Sequence, residues 1–381
     1  MNRAKIEMMD KINSILAQGY MAAKIVWRTF KVRVWSYKKY AGNAKQIIRQ
    51  IIDGCWVPLT GSKQGYFCAS ADHFHDFWMR DFSMSSSALI KLGYKDKVQK
   101  TLEYALKIFK RDEKITTTIV HNRAVDMPAY ASDSLPYLIH ALRVLGNKKL
   151  IKKYQSFLER QAKIYWEIIW DKRLGTVRQD IHFAAAKDMV KRQASCYDTC
   201  MVGMLARDLQ ALSLKNPIEA NISKLLMKRY FAKEYFLDDL SGRKYLSADA
   251  QIFPFWTGLI DDKKILKKII AAVHAKKMDR PFPIKHTERR IKKIERLQGR
   301  LFVPNYQGST IWTQVGALWI ELVSQIDPAL AQKYIRQYKN HIEKYQTFFE
   351  VFHPNGKPYQ SLLYVTDEGM LWSSIFLAIS L

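Results

Sequence analysis

The sequence predicts an all-α protein whose helices close into a barrel with long loops gathered at one rim. Apolar residues recur three and four apart through most of the chain, which is the helical period. The connections alternate between tight turns and long segments rich in Trp, Tyr, Asp, Pro and Gly. A superhelical repeat array is the competing architecture, but the chain has no self-similar sequence period. With 381 residues, 48% of them hydrophobic, the chain can bury a large core.

The apolar periodicity predicts each helix in turn. The predicted helices cover Ile6–Ala17, Ala44–Ile52, Ser85–Leu92, Val98–Phe109, Leu135–Leu145, Leu150–Trp170, Cys196–Leu212, Ile222–Phe231, Ile265–Val273, Gly316–Val323, Ala329–Tyr345 and Gly369–Ser380. Glycines at positions 93 and 146 provide the expected stop signals.

The long connections alternate with these helices, and no linker or shift in composition divides the chain. They cover Val57–Phe82, Thr116–Ser134, Gly175–Ala194, Tyr245–Gly258, Phe302–Thr313 and Phe349–Glu368. We therefore expect one structural unit, in which residues 56–381 form the barrel. Residues 1–55 are expected to be N-terminal helices that are part of the barrel or a collar on it.

The charge balance is strongly basic, at +27. Two regions concentrate it, Arg28–Lys39 and Lys285–Arg300, and the spacing of Glu288, Lys292 and Glu295 predicts a solvated helix face in the second. Charge that keeps the protein soluble is the simplest interpretation, and weak attraction to a membrane surface stays open. A specific nucleic-acid partner is not predicted, because the usual binding motifs are missing.

Cellular location follows from the apolar segments and the cysteines. Glu7, Asp10 and Lys11 interrupt the apolar run that a secretory leader needs, and no stretch approaches the ~18 apolar residues of a membrane span. The sequence therefore predicts a soluble, cytoplasmic protein without a transmembrane segment. Cys196 and Cys200 lie four apart on one helix face, where we expect them to pack as reduced, apolar side chains without zinc.

The segment from His73 to Phe82, HFHDFWMRDF, carries the densest chemistry. An aromatic face beside an arginine and an aspartate suits a pyranose, which stacks on the ring while its hydroxyls bond to the charged groups. The alternative is an Arg–Asp ion pair that fixes a helix start beneath a core tryptophan.

Trp78-x-Arg80-Asp81 resembles a motif of the six-hairpin (α/α)6-barrel glycosidases, which include glucoamylases, glycoside hydrolase family 63 and glycogen-debranching glucosidases. Further segments resemble the same families in the same order: residues 124–137, 245–256 and 305–312, then 349–356 with 372–374. The resemblance implies an (α/α)6 barrel. It also implies sugar-holding roles for Trp78, Arg80, Asp81, Asp133, Gln307 and Trp312.

Inverting glycoside hydrolysis needs one carboxylic acid to protonate the leaving oxygen and one carboxylate to activate water. The resemblance places the base at Glu350 and the acid at Asp188, with Asp180 and Asp133 as other candidates for the acid. We expect Lys187, Lys191 and Arg192 to lower the pKa of Asp188, which opposes the raised value that suits a general acid.

The resemblance implies an inverting, exo-acting glycoside hydrolase whose small-molecule or oligosaccharide substrate is an α-linked glucoside or a short α-glucan. No metal or organic cofactor is expected, because two carboxyls and water suffice. The open alternatives are a glycoside with an anionic aglycone, a phosphorylase, a catalytically silent carbohydrate-binding barrel, and a helical protein that binds nucleic acid or a membrane surface. The oligomeric state is left open.

Overall fold

The structure is a computed structural model that describes residues 3–62, 64–127 and 129–381, with side chains from Ser14 onward. Glu7, Asp10 and Lys11 therefore lie outside the described side chains. The helices are α1 (Arg3–Trp35), α2 (Ala44–Gly54), α3 (Met79–Lys91), α4 (Lys95–Arg111), α5 (Ser134–Leu145), α6 (Lys148–Ile169), α7 (Cys196–Ala211), α8 (Ile222–Leu225, continued by a π-turn over Leu226–Tyr230), α9 (Ala248–Trp256), α10 (Lys263–Ala275), α11 (Leu297–Phe302), α12 (Thr313–Ser324), α13 (Pro328–Tyr345) and α14 (Ser373–Ser380).

Six of these helices form a closed inner ring. Helix α3 packs on α5, α5 on α7, α7 on α9, α9 on α12 and α12 on α14, and α14 returns to pack on α3. Each inner helix follows an outer helix along the chain, in the order α2, α4, α6, α8, α10 and α13. The predicted (α/α)6 barrel is therefore confirmed.

The inner helices are buried on nearly every side, so their sequences are apolar or small all round. Helix α3 carries Ser83, Ser85 and Ser86 in the core, and the Ser83 hydroxyl donates to the Tyr137 carbonyl of α5 at 2.6 Å. Outer helices show one apolar stripe and begin at ordinary caps. For example, the Asp327 side chain accepts from Leu330 N just before Pro328 opens α13.

The long connections all lead from an outer helix to the next inner helix, so they meet at one rim. They contain short antiparallel strands: β1 (Trp56–Pro58), β2 (Gly65–Phe67), β3 (Phe77–Trp78), β4 (Thr118–Val120), β5 (Arg123–Val125), β6 (Trp170–Asp171), β7 (Thr176–Val177), β8 (Ile311–Trp312) and β9 (Val351–Phe352). The β8–β9 pair joins Trp312 to Val351 and so brings two distant loops together beside Glu350.

Helix α1 lies outside the ring and crosses this rim. Arg28 donates to the carbonyls of Val365 and Thr366, and the Ser14 hydroxyl donates to the Asp126 carbonyl. Helix α2 instead packs on α13 and α14 as the outer helix of the first hairpin. Helix α1 thus crosses the rim, and helix α2 is an outer helix of the barrel.

Several sequence-based expectations differ from the structure in detail. Tyr245–Gly258, expected to be a loop, contains the inner helix α9, whose short length and internal Pro254 hide the helical period. The basic region from Lys285 is irregular as far as α11, so the predicted helix face is wrong. There Glu295 pairs with Arg290 at 2.7 Å. Cys196 and Cys200 are buried, free thiols on α7, as predicted.

Candidate active site

Glu350 lies immediately before β9 and is only 4% exposed. The Tyr306 hydroxyl donates to its Oε1 at 2.5 Å, and the Tyr364 hydroxyl donates to its Oε2. Burial raises the pKa of Glu350 to about 7, against the opposing effect of the two tyrosine hydrogen bonds. Both oxygens accept hydrogen bonds, which is the pattern of an ionised carboxylate ready to take a proton.

Asp188 lies in the loop before α7 and is half-buried. The Gln307 amide donates to its Oδ1 at 2.8 Å. Burial raises the pKa of Asp188 above its ordinary value, while Arg80 and Arg296 act in the opposite direction. Burial thus raises the pKa of Asp188 as it raises that of Glu350.

Consecutive residues hold these two carboxyls. Tyr306 bonds to Glu350 and Gln307 bonds to Asp188, so one short segment before β8 links loops that lie far apart in sequence. Gln307 also accepts from Met189 N at 2.7 Å, which fixes its amide orientation. Tyr306 and Gln307 therefore link two carboxyls of raised pKa at the rim where the inner helices begin.

Two of the cations beside Asp188 in sequence, Lys187 and Arg192, form ion pairs with other carboxylates. Lys187 is buried and bonds to Asp249 at 2.8 Å and Asp238 at 3.3 Å, and Arg192 donates to Asp249 at 2.8 Å. Burial alone would raise the pKa of Asp249, but these two cations lower it. The expectation that Lys187 and Arg192 depress the pKa of Asp188 is therefore wrong, because buried aspartates neutralise both of them.

The other candidates for the acid are differently placed. Asp133 is buried and accepts from Arg80 at 2.7 Å and from the Tyr197 hydroxyl at 2.8 Å, so it holds the arginine. Asp180 is exposed and bonds to Arg178, which lowers its pKa. An exposed carboxyl with a lowered pKa is a poor proton donor at neutral pH.

The remaining predicted site residues lie at the same rim. Trp78 packs against an apolar cluster that α1 shares with Val125 and Met127, and Asp81 accepts from Gln314 at 3.3 Å. Burial raises the pKa of Asp81 to about 6. Trp312 is buried edge-on against Tyr306, with ring centroids 4.8 Å apart, so it packs beneath the tyrosine that holds Glu350.

The sequence analysis missed Arg28 of α1, although its side chain reaches a cluster of three acidic residues next to Glu350. Its guanidinium lies 2.8 Å from Asp72 and 3.2 Å from Asp367, and it also donates to Glu368. Within the described residues, these acids form the group that could hold a metal ion, and the arginine occupies that position. Tyr364 and Asp367 were missed as well, because neither stands in a recognisable pattern.

The chain superposes on several solved glycosidases. One glycosidase matches with a TM-score of 0.63 over 88% of this chain and 96% of that one, at 13% identity. The fold is that of the six-hairpin glycosidases. A rhamnosidase from Klebsiella oxytoca with rhamnose bound matches with a TM-score of 0.61 at 10% identity, covering 88% of this chain and 62% of that chain.

A third match is a glycoside hydrolase family 63 mannosylglycerate hydrolase from Thermus thermophilus, in complex with Tris and D-glycerate. It has a TM-score of 0.58 at 11% identity and covers 89% of this chain and 100% of that one. No protein-family model and no curated protein matches the sequence. At sequence identities this low, the structural similarity establishes the fold alone, so function has to be argued from the site itself.

In the part of the chain that the structure describes, no helix is long and apolar enough to cross a bilayer.

Proposed function

We propose that this chain is a glycoside hydrolase that inverts the anomeric configuration of its substrate. The observation that carries the proposal is the pair of carboxyls, Asp188 and Glu350, held by the adjacent residues Gln307 and Tyr306 at the rim of the barrel. The shared architecture with solved glycosidases supports it.

Burial raises the pKa of both carboxyls, so the acid and base roles proposed here follow the family resemblance. Asp188, half-buried and with a raised pKa, protonates the glycosidic oxygen as the bond to the anomeric carbon breaks. Glu350, which accepts hydrogen bonds on both oxygens, takes a proton from the water that attacks the opposite face of that carbon. One direct displacement by water inverts the configuration.

The proposed substrate is an α-linked glucoside or a short α-glucan, attacked from its end. Arg80 donates to Asp133, which also accepts from Tyr197, so a fixed guanidinium is presented to sugar hydroxyls. Trp78, Asp81 and Gln307 complete the proposed sugar-holding set, and Trp312 supports Tyr306 from beneath. A geometry fixed by buried partners lowers the entropy cost of orienting the sugar.

A glycoside with an anionic aglycone is the second candidate. Arg80 and Arg296 both lie close enough to Asp188 to act on its pKa, so the leaving group would emerge into a positive potential. The net charge of +27 is consistent with this preference.

The test is a hydrolysis screen on α- and β-linked di- and oligosaccharides and on glycosides with charged aglycones, with the released anomer read by NMR. Glu350→Gln and Asp188→Asn are run beside wild type, and Asp180→Asn serves as the matched control because its carboxyl is exposed. We expect inverted product from wild type and the control, and losses of about 10²- to 10⁴-fold in the other two variants.

The alternatives give different results in the same screen. Retained configuration would contradict the direct displacement, and turnover that depends on added phosphate would indicate a phosphorylase. Sugar binding without release from any substrate would indicate a binding protein. Unchanged activity in Asp188→Asn would remove Asp188 from the proposed pair.

A further inference from the structure

Exposed apolar side chains concentrate on one face of the protein. Among the described residues, every well-exposed large apolar side chain except Ile164, Leu174 and Leu381 belongs to α1, to α11 or to Leu362. These side chains are Ile15, Leu16, Tyr20, Val26, Trp27, Phe30, Val34, Trp35, Leu297, Leu301, Phe302 and Leu362. We call this set the rim face. Large exposed apolar patches usually mark a surface that binds another protein, a membrane or a ligand.

Hydrogen bonds make the rim face continuous. Arg33 of α1 donates to the Leu362 carbonyl at 2.9 Å, and the Ser361 hydroxyl donates to the Phe302 carbonyl at 2.8 Å. The opposite side of α1 is fixed by Arg28 in its group of carboxylates. The outward side of α1 is therefore exposed to solvent while its inward side stays anchored to the barrel.

The rim face is also positively charged. No acidic residue occurs between Asp10 and Asp53, and Lys31, Lys38 and Lys39 are exposed there. Lys292, Lys293 and Arg300 are exposed around α11. A second copy docked through the same face would bring like charges together, which disfavours self-association.

An anionic lipid surface matches both properties. From Ile15 to Trp35 the exposed side of α1 is about 30 Å long, which allows the helix to lie flat on a bilayer. Tryptophan and phenylalanine would enter the boundary between head groups and acyl chains, and the lysines would pair with lipid phosphates. We propose that the rim face binds anionic membrane surfaces, independently of the function proposed above.

The experiment is cosedimentation of the full chain with phosphatidylcholine vesicles, with or without about 25% phosphatidylglycerol. Trp27→Ser with Phe30→Ser removes two exposed side chains from the rim face, and Ile164→Ser with Leu174→Ser removes two from elsewhere. We expect binding to the anionic vesicles by wild type and the control pair. Binding should fall about tenfold or more in the first pair and weaken at about 0.5 M salt.

Circular dichroism confirms that each variant is folded before the comparison. The proposal is wrong if wild type ignores anionic vesicles, or if the Trp27→Ser, Phe30→Ser variant binds them as well as wild type does. Sedimentation velocity without vesicles tests whether a second copy of the chain binds the rim face instead. A wild-type dimer that the same two substitutions dissociate would assign the face to a second copy and overturn the lipid proposal.

Discussion

The two tyrosines that bond to Glu350 lower its pKa and so favour the ionised form that can accept a proton. Tyr306 and Tyr364 donate to opposite oxygens of a carboxylate that burial would otherwise keep protonated. They stabilise the charged form, so the pKa of Glu350 stays at about 7 despite its burial. The base is therefore ionised above that pH and protonated below it.

This balance predicts the pH dependence of activity. In wild type, kcat/KM should fall as the pH drops below about 7, because Glu350 then carries the proton it has to accept. Tyr364→Phe removes one donor to the carboxylate, so the pKa rises and the acid limb moves up by about one pH unit. The pH profile of kcat/KM measures the shift.

Tyr338→Phe is the control, because that hydroxyl donates to the Pro283 carbonyl rather than to Glu350. An unchanged limb in Tyr364→Phe would show that another group controls the profile.

The raised pKa of Asp188 leads to a second prediction at this scale. A general acid matters most when the leaving group is a poor one, so Asp188→Asn should cut turnover of an alkyl glycoside by about 10²-fold or more. It should spare a dinitrophenyl glycoside, whose leaving oxygen needs no proton. Glu350→Gln should impair both substrates equally, because water has to be activated in each. Equal losses in Asp188→Asn would contradict its role.

Among the elements, α1 is joined to the barrel by a buried ion cluster. Arg28→Met would leave Asp72, Asp367 and Glu368 without their shared cation, and we expect a loss of about 3–5 kcal/mol of stability in this region. Asp367 already acts to raise the pKa of Glu350, so losing its cation should move the acid limb of activity further up.

Hydrogen exchange of residues 361–368 and of α1 measures the first effect, and the pH profile measures the second. Arg33→Met is the control, since exposed Arg33 donates to the neutral carbonyls of Leu362 and Ser361. It should cost less than about 1 kcal/mol. Equal protection in Arg28→Met and wild type would show that α1 is held by other contacts.

Close packing between α12 and α13 requires a glycine at position 316. A Cβ on Gly316 would overlap the Tyr338 hydroxyl and lie 3.0 Å from the Pro283 carbonyl oxygen. Gly316→Ala should therefore destabilise the protein by about 1–3 kcal/mol, measured by urea unfolding. Gly19→Ala on exposed α1 has no atom within 4 Å and should be neutral or stabilising by up to about 1 kcal/mol. Similar effects at both sites would contradict this packing.

At the scale of the whole molecule, the ring closes through α14, which packs on both α12 and α3. Deleting residues 373–381 removes the buried side chains of Ile375, Phe376 and Leu377 and uncovers both neighbours. At about 1.5–3 kcal/mol for each side chain, the loss is comparable to the total stability of a typical domain. We expect this variant to lose cooperative thermal unfolding.

Deleting Leu381 alone should leave the melting temperature unchanged, because that residue is exposed. An open helical array tolerates the loss of a terminal unit, since each unit contacts only its neighbours. Cooperative unfolding of the deletion variant near the wild-type temperature would therefore argue against a closed ring.

The sequence by itself determined the helices and the likeness to the glycosidase barrel, because both depend on local patterns. Apolar periodicity predicted α5, α6, α7 and α13 to within two residues at each end. The motifs also singled out Glu350 and Gln307, and the position in a mid-chain loop before a helix singled out Asp188.

Only the tertiary structure decided how these residues are paired. Lys187 and Arg192 stand beside Asp188 in sequence but pair with Asp238 and Asp249, and Arg28 reaches a carbonyl 337 residues away. Helix α9 forms despite Pro254, because the ring buries it. Burial and long-range charge pairing set the pKa of each group, and neither can be read from the residues adjacent in sequence.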